Sequence, residues 1–223
     1  SPTEVRNAIY LDFEGEGKKR DGSVPKPHMA GTFRPNQTGR GGKHHTVFFR
    51  PQWNPASTGT PNSECRQFQH YFQVLLYELR ERNCHLVYWT IHESMILAKY
   101  LNPEIYQRLT PYLFNLHPMA KKYVNHRRQF RIRSTARGWT LDEFVEALSI
   151  SHTYPLFPLG AAEACRRIDT ATTQQNQWEL LSERQKRYVN DLVQYNNKDC
   201  FCTWLIAKRL GNAYNKATGV ALD

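Results

Sequence analysis

Three β-favouring segments fall within the first 50 residues, and the pattern then switches to helix spacing. That switch limits the fold more than any other feature of the chain. Asn7–Phe13, His28–Phe33 and Thr46–Phe49 are apolar and carry β-branched or aromatic residues. The stretches between them, 15–27 and 34–45, are rich in Gly, Pro, Lys and Arg and read as long hairpin loops. Strands so spaced suit an antiparallel meander. From Asn62 to Arg82 the apolar residues Phe68, Tyr71, Phe72, Leu75, Leu76 and Leu79 recur at three and four positions, which predicts a helix with Ser63 as a candidate N-cap.

Beyond it, Cys84–Trp89 is a short apolar strand and Ser94–Leu101 a helix; Pro103 opens another helix that Pro111 breaks. Tyr112–Leu116 is a short strand or a turn. Thr140-Leu-Asp-Glu143 has the residues of a capping box and opens a helix to about Ser149. Ser182-Glu-Arg-Gln185 repeats that signature for a long helix reaching Leu210 and ended by Gly211. Meander, helix, strand, helices is the order of an α/β fold of RNase H-like type. Its mixed sheet combines a three-strand antiparallel meander with parallel strands, flanked by helices. One such domain is expected over residues 1–223, and the opening Ser-Pro reads as a cut from a longer chain.

Aromatic residues make up 13% of the chain and apolar ones 40%, which excludes wholesale disorder. No apolar run approaches the ~20 residues of a membrane span. Five cysteines without a CxxC pair indicate neither a disulfide scaffold nor a Cys-based zinc site, so an intracellular, cytoplasmic setting is expected. A formal charge of +10 favours a polyanionic partner, nucleic acid first.

The informative acids sit in three places. Asp12 and Glu14 are two apart on a strand, so both carboxylates share one face. Like charges at the end of an apolar strand repel unless a cation sits between them; the alternative is a solvated strand end paired with Lys18, Lys19 or Arg20. Tyr195 and Asp199 are four apart on the apolar side of the last helix, where a carboxylate needs a metal or a cationic partner. Glu93 follows the strand Leu86–Trp89 at a helix start, where it either joins the other acids or simply complements the helix dipole.

In this order the motifs resemble the DEDD family of 3′–5′ exonucleases, in the sub-branch whose last motif is Tyr-x-x-x-Asp. Val87-Tyr-Trp-Thr-Ile-His-Glu93 is similar to the predicted RNase H-like nucleases in which Glu takes the place of the second-motif Asp. Trp139–Leu148 and Leu159–Glu163 resemble that branch's approach to the final motif. The resemblance implies two Mg²⁺ or Mn²⁺ ions gathered by Asp12, Glu14, Glu93 and Asp199, hydrolysing a phosphodiester of DNA or RNA. Tyr195 would orient the attacking water, since a phenol near pKa ~10 is a poor base at neutral pH. The departure is Glu93 itself, which leaves open whether it or a neighbour supplies the third acid.

Lys121, Lys122, Arg127, Arg128, Arg131, Arg133 and Arg137 lie in a stretch without an acid, interleaved with Tyr123, His126 and Phe130. That composition suits a groove tracking single-stranded phosphates. It also suits a solvated basic face, or a contact to an acidic domain of a parent chain. Two other functions stay open from sequence: an RNase H-like endonuclease, and a catalytically silent nucleic-acid-binding module.

Overall fold

A computed structural model describes residues 1–17, 21–50, 53, 63–65, 67–126, 139–150, 160–174 and 178–218. Helix α1 (Pro2–Asn7) leads into strand β1 (Ile9–Glu14), followed by β2 (Met29–Pro35), β3 (Gly42–Phe48) and β4 (Ser63–Cys65). Next come α2 (Phe68–Glu81), β5 (Leu86–Tyr88), α3 (Ile91–Tyr100), α4 (Pro103–Leu109), β6 (Leu113–Asn115) and α5 (His117–His126). Helices α6 (Leu141–Ala147), α7 (Ala161–Gln174) and α8 (Glu183–Thr218) complete the chain.

The six strands form one sheet in the order β4-β3-β2-β1-β5-β6. The expected meander is present: β2 runs antiparallel to both β1 and β3, while β5 is parallel to β1 and β6 parallel to β5. This is a mixed α/β sheet of RNase H-like layout flanked by helices. Among the described residues, no helix is long and apolar enough to cross a membrane.

Alternation along β1 decides what each face of the sheet meets. Ile9, Leu11 and Phe13 join the apolar cluster built on α2, with Phe68, Phe72, Leu75 and Leu79. Tyr10 faces the other way, into the cluster of Phe33, Trp89, Phe144, Trp204 and Ile206. Burying each of these large side chains is worth about 1.5–3 kcal/mol, so a register slip of one residue would be prohibitive. The same alternation sends Asp12 and Glu14 to the face covered by α8.

Several boundaries differ from expectation. Ser63 belongs to β4, which runs parallel to β3, and α2 begins only at Phe68. The loop expected over 34–45 is shorter, because β2 continues to Pro35 and β3 starts at Gly42. Helix α3 starts at Ile91 with Thr90 as its N-cap, three residues before the expected Ser94. Gly211 does not end the last helix: α8 runs unbroken to Thr218, with no interruption at Asn196-Asn197. Both expected capping boxes form, Thr140 with Glu143 and Ser182 with Gln185.

Candidate metal centre

Helix α8 lies across β1 and β2 and brings its fourth and fifth turns onto the Asp12–Glu14 face. One carboxylate oxygen from each of Asp12, Glu14 and Asp199 falls within 4.8 Å of the others, a spacing that can hold a metal ion. Glu14 is only 5% exposed, as is Glu93. The converging acids and the nearby Glu93 therefore sit where water screens them poorly.

Their proton affinities record this. Burial is the main cause that pushes the Asp12 carboxyl well above the ordinary range, followed by the charges of Glu14, Asp199 and Glu93 and by a hydrogen bond shared with Glu14. Glu14 is raised chiefly by burial and then by Asp199; its bonds with Asp12 and Asn196 work in the opposite direction. Glu93 is raised by burial, against hydrogen bonds that favour its charge. Bound divalent cations reverse the balance, because they neutralise charges that the protein alone leaves facing one another.

Glu93 proves to have two functions at once. It is the N3 residue of a capping box on α3, where its Oε2 accepts from Thr90 N at 3.0 Å and from Thr90 Oγ1 at 2.9 Å. Its charge nonetheless reaches Asp12 and Glu14. It lies outside the group whose ligand atoms are mutually within 4.8 Å. The cap fixes its orientation, and only its charge is felt at Asp12 and Glu14. The two functions separate by substitution. Glu93→Gln keeps the box, since Gln accepts the same bonds, and should leave unfolding in chelator unchanged or slightly later. Glu93→Ala should lose about 1 kcal/mol in the same denaturation experiment.

Tyr195 stands one helical turn before Asp199, and its phenol is raised by burial first, then by the charges of Asp199, Glu14 and Asp12. It is therefore at the acidic centre and holds its proton throughout the physiological range. Position 196 carries the residue that sequence reasoning passed over. Asn196 is fully buried and donates from Nδ2 to Asp12 Oδ2 at 2.7 Å. It also works to lower the Glu14 pKa, so its amide acts on the electrostatics of both strand acids. The available signal was its spacing, since Leu192, Asn196 and Cys200 line one buried face of α8.

Of the basic stretch, Lys121 and Lys122 lie on α5, with Lys121 Nζ 5.3 Å from the centre of the Trp139 ring. Arg127, Arg128, Arg131, Arg133 and Arg137 lie outside the described residues, as do Lys18, Lys19 and Arg20. Helices α5 and α6 both contact α8, the helix that carries Tyr195 and Asp199. Compared with protein-family models, with curated proteins and with solved structures, the chain finds no match in any of the three.

Proposed function

We propose that this chain is a metal-dependent nuclease that hydrolyses phosphodiester bonds of DNA or RNA as a 3′–5′ exonuclease. The observation that carries this reading is the convergence of Asp12, Glu14 and Asp199 within 4.8 Å, with the Glu93 charge close by. Such a group is costly in a protein core unless a cation offsets its charge or it takes up protons. A bound cation lets all the acids stay ionised at neutral pH. An all-carboxylate donor set fits Mg²⁺ or Mn²⁺, hard ions that take oxygen ligands and keep several waters. Asp12, Glu14, Glu93 and Asp199 would hold the pair of ions. Bound there, divalent ions supply an activated water and charge stabilisation for in-line displacement at phosphorus.

The remaining work belongs to the chain's own side chains. Asn196 fixes the Asp12 carboxylate so that little reorganisation is needed there on binding. Tyr195, protonated, donates a hydrogen bond to the attacking water or the phosphate and sets its direction. An order with Tyr four residues before the last acid resembles the exonucleases and favours stepwise removal from an end over internal cutting. The positive charge of the 121–137 stretch serves the phosphates of the incoming strand.

The decisive experiment offers 5′-labelled single-stranded DNA and RNA to the protein in Mn²⁺. The expected product is a ladder of progressively shortened strands, together with no nicking of a closed circle. Binding without cleavage would instead identify a silent binding module, and cutting of the circle an endonuclease. Tyr195→Phe should lower the rate about 10²-fold while leaving the metal-induced rise in melting temperature intact, because the phenol positions water and does not hold the ion. Single-turnover cleavage beside thermal unfolding checks both halves.

A further inference from the structure

We propose that Glu16, His28 and Asp169 form a second metal site, beside the acidic centre, that takes a borderline divalent ion of the Zn²⁺ class. The observation behind it is a buried histidine aimed between two carboxylates. His28 is fully buried, and neither of its ring nitrogens is in a hydrogen bond. Its Nδ1 lies 3.2 Å from Asp169 Oδ1 and its Nε2 lies 3.8 Å from Glu16 Oε1. One donor atom from each of the three residues falls within 4.8 Å of the others.

The ring is held in place without help from those carboxylates. The His28 main-chain N–H donates to Glu14 O at 2.8 Å, and its carbonyl accepts from Phe49 N at 2.8 Å. Trp53 lies against the imidazole, with centroids 4.6 Å apart. A buried polar ring so firmly fixed, and yet making no hydrogen bond, has donor capacity left for a ligand. Metal–ligand bonds of about 2.0–2.2 Å put neighbouring donors roughly 3–4 Å apart. One ion binds one ring nitrogen, so for a given ion only one of the two separations applies, 3.2 Å from Nδ1 to Asp169 or 3.8 Å from Nε2 to Glu16. Either is in that range, and the third donor lies within 4.8 Å of both atoms.

The donor set selects the ion. One imidazole with two carboxylates suits Zn²⁺, Co²⁺ or Mn²⁺, whereas Mg²⁺ prefers oxygen alone. Arg50 Nη1 lies 3.1 Å from Asp169 Oδ1 and orients that carboxylate from outside, as a supporting cation does around many metal ligands.

The site would act as a clip. Glu16 follows β1, His28 precedes β2, and Asp169 lies on α7, which Arg166 Nη1 already ties to Glu16 O at 3.3 Å. Three distant parts of the chain meet there, so an ion that binds the folded state stabilises it by mass action. The His28 N–H bond to Glu14 O places the clip one hydrogen bond from the acidic centre. Its occupancy would hold the main chain that carries Glu14.

The test uses the full chain with Asp12→Asn and Asp199→Asn, stripped of metal, so that the acidic centre no longer competes. Titration with Co²⁺ should give one equivalent bound, with visible d–d absorption, and Zn²⁺ should raise the melting temperature by several degrees where equimolar Mg²⁺ does not. Adding Glu16→Gln or Asp169→Asn should abolish the absorption and weaken binding at least tenfold. These positions are part-buried, so the variants keep folding where His28→Gln fails to. If the double variant binds no Co²⁺, or if Glu16→Gln and Asp169→Asn bind it as tightly as their parent, the site is refuted and His28 is an ion-pairing residue only. None of these readouts involves hydrolysis, so an inactive wild type would overturn the proposed function and leave this site standing.

Discussion

In chelator, Asp12→Asn protein should unfold at a higher temperature than the wild type, while its nuclease activity in Mn²⁺ falls on the order of 10³-fold or more. Both effects come from one carboxylate. Asn can still accept the Asn196 Nδ2 bond that Asp12 accepts at 2.7 Å, so the geometry survives the change. What disappears is a charge held among Glu14, Asp199 and Glu93. Relieving such strain at a functional site commonly yields about 0.5–2 kcal/mol, at about 2–4 °C per kcal/mol for a chain of this size. The pH dependence fixes the sign. Asp12, Glu14 and Glu93 have folded-state pKa values above the ordinary 3.8 and 4.5, so the folded chain holds protons that the unfolded chain has released. Their contribution to stability is present at low pH and is lost as pH rises from the ordinary values through the raised ones. The gap between Asp12→Asn and wild type should therefore widen in chelator as pH rises above the ordinary carboxylate range. Millimolar Mn²⁺ should close it by stabilising the wild type alone. A wild type at least as stable as Asp12→Asn in chelator at neutral pH would mean that the four acids are not in conflict, and the metal centre would lose its main support.

Local chemistry made part of this site legible. The period of two along β1 separates Ile9, Leu11 and Phe13 from Asp12 and Glu14, and the period near four along α8 joins Tyr195 to Asp199; both follow from backbone geometry alone. Other features depend on partners far along the chain. Ser63 has the chemistry of an N-cap, yet pairing with β3 makes it part of a strand. Gly211 has the chemistry of a helix stop, but a glycine inside a helix costs only about 1 kcal/mol relative to Ala, and α8 continues through it. Helix α7 has few large apolar residues on its inward face, Cys165 and Ile168 with Ala161 beside them. Its two-sided character comes largely from the exposed Arg166 and Arg167, which sequence alone does not assign to a buried helix. Glu93 was ambiguous because its two functions, cap and acid, draw on the same residue type. Asn196 was invisible as an anchor because what gives it meaning is a bond to a residue 184 positions away.

Gly31→Ala should be the most damaging single-methyl change on this face of the sheet. Gly31 pairs with Asp12 in the β1–β2 register, directly beneath α8. A Cβ there would sit 1.6 Å from Asn196 Oδ1 and 2.8 Å from its Cγ. Neither side can easily yield. Asn196 is fully buried and bound to Asp12, and Cys200, one turn further along the helix, donates from Sγ to Gly31 O at 3.3 Å. The helix must therefore lift from the sheet or Asn196 must leave its bond. Overpacking of this kind costs about 1–3 kcal/mol and occasionally more. Because Asp199 rides on the same turn of α8, the lift also misplaces a carboxylate, and an error of about 1 Å at a reacting centre can cost about 10²-fold in rate. The double variant Gly31→Ala/Asn196→Ala provides the check by denaturant unfolding. Asn196→Ala removes the atoms that the methyl would strike, so the two losses should be far from additive, with a coupling of about 1–3 kcal/mol. The double variant should recover stability relative to Gly31→Ala and still lack activity, since the amide that orients Asp12 is gone. Strict additivity would show that the close approach of helix and strand is not what requires glycine at this position.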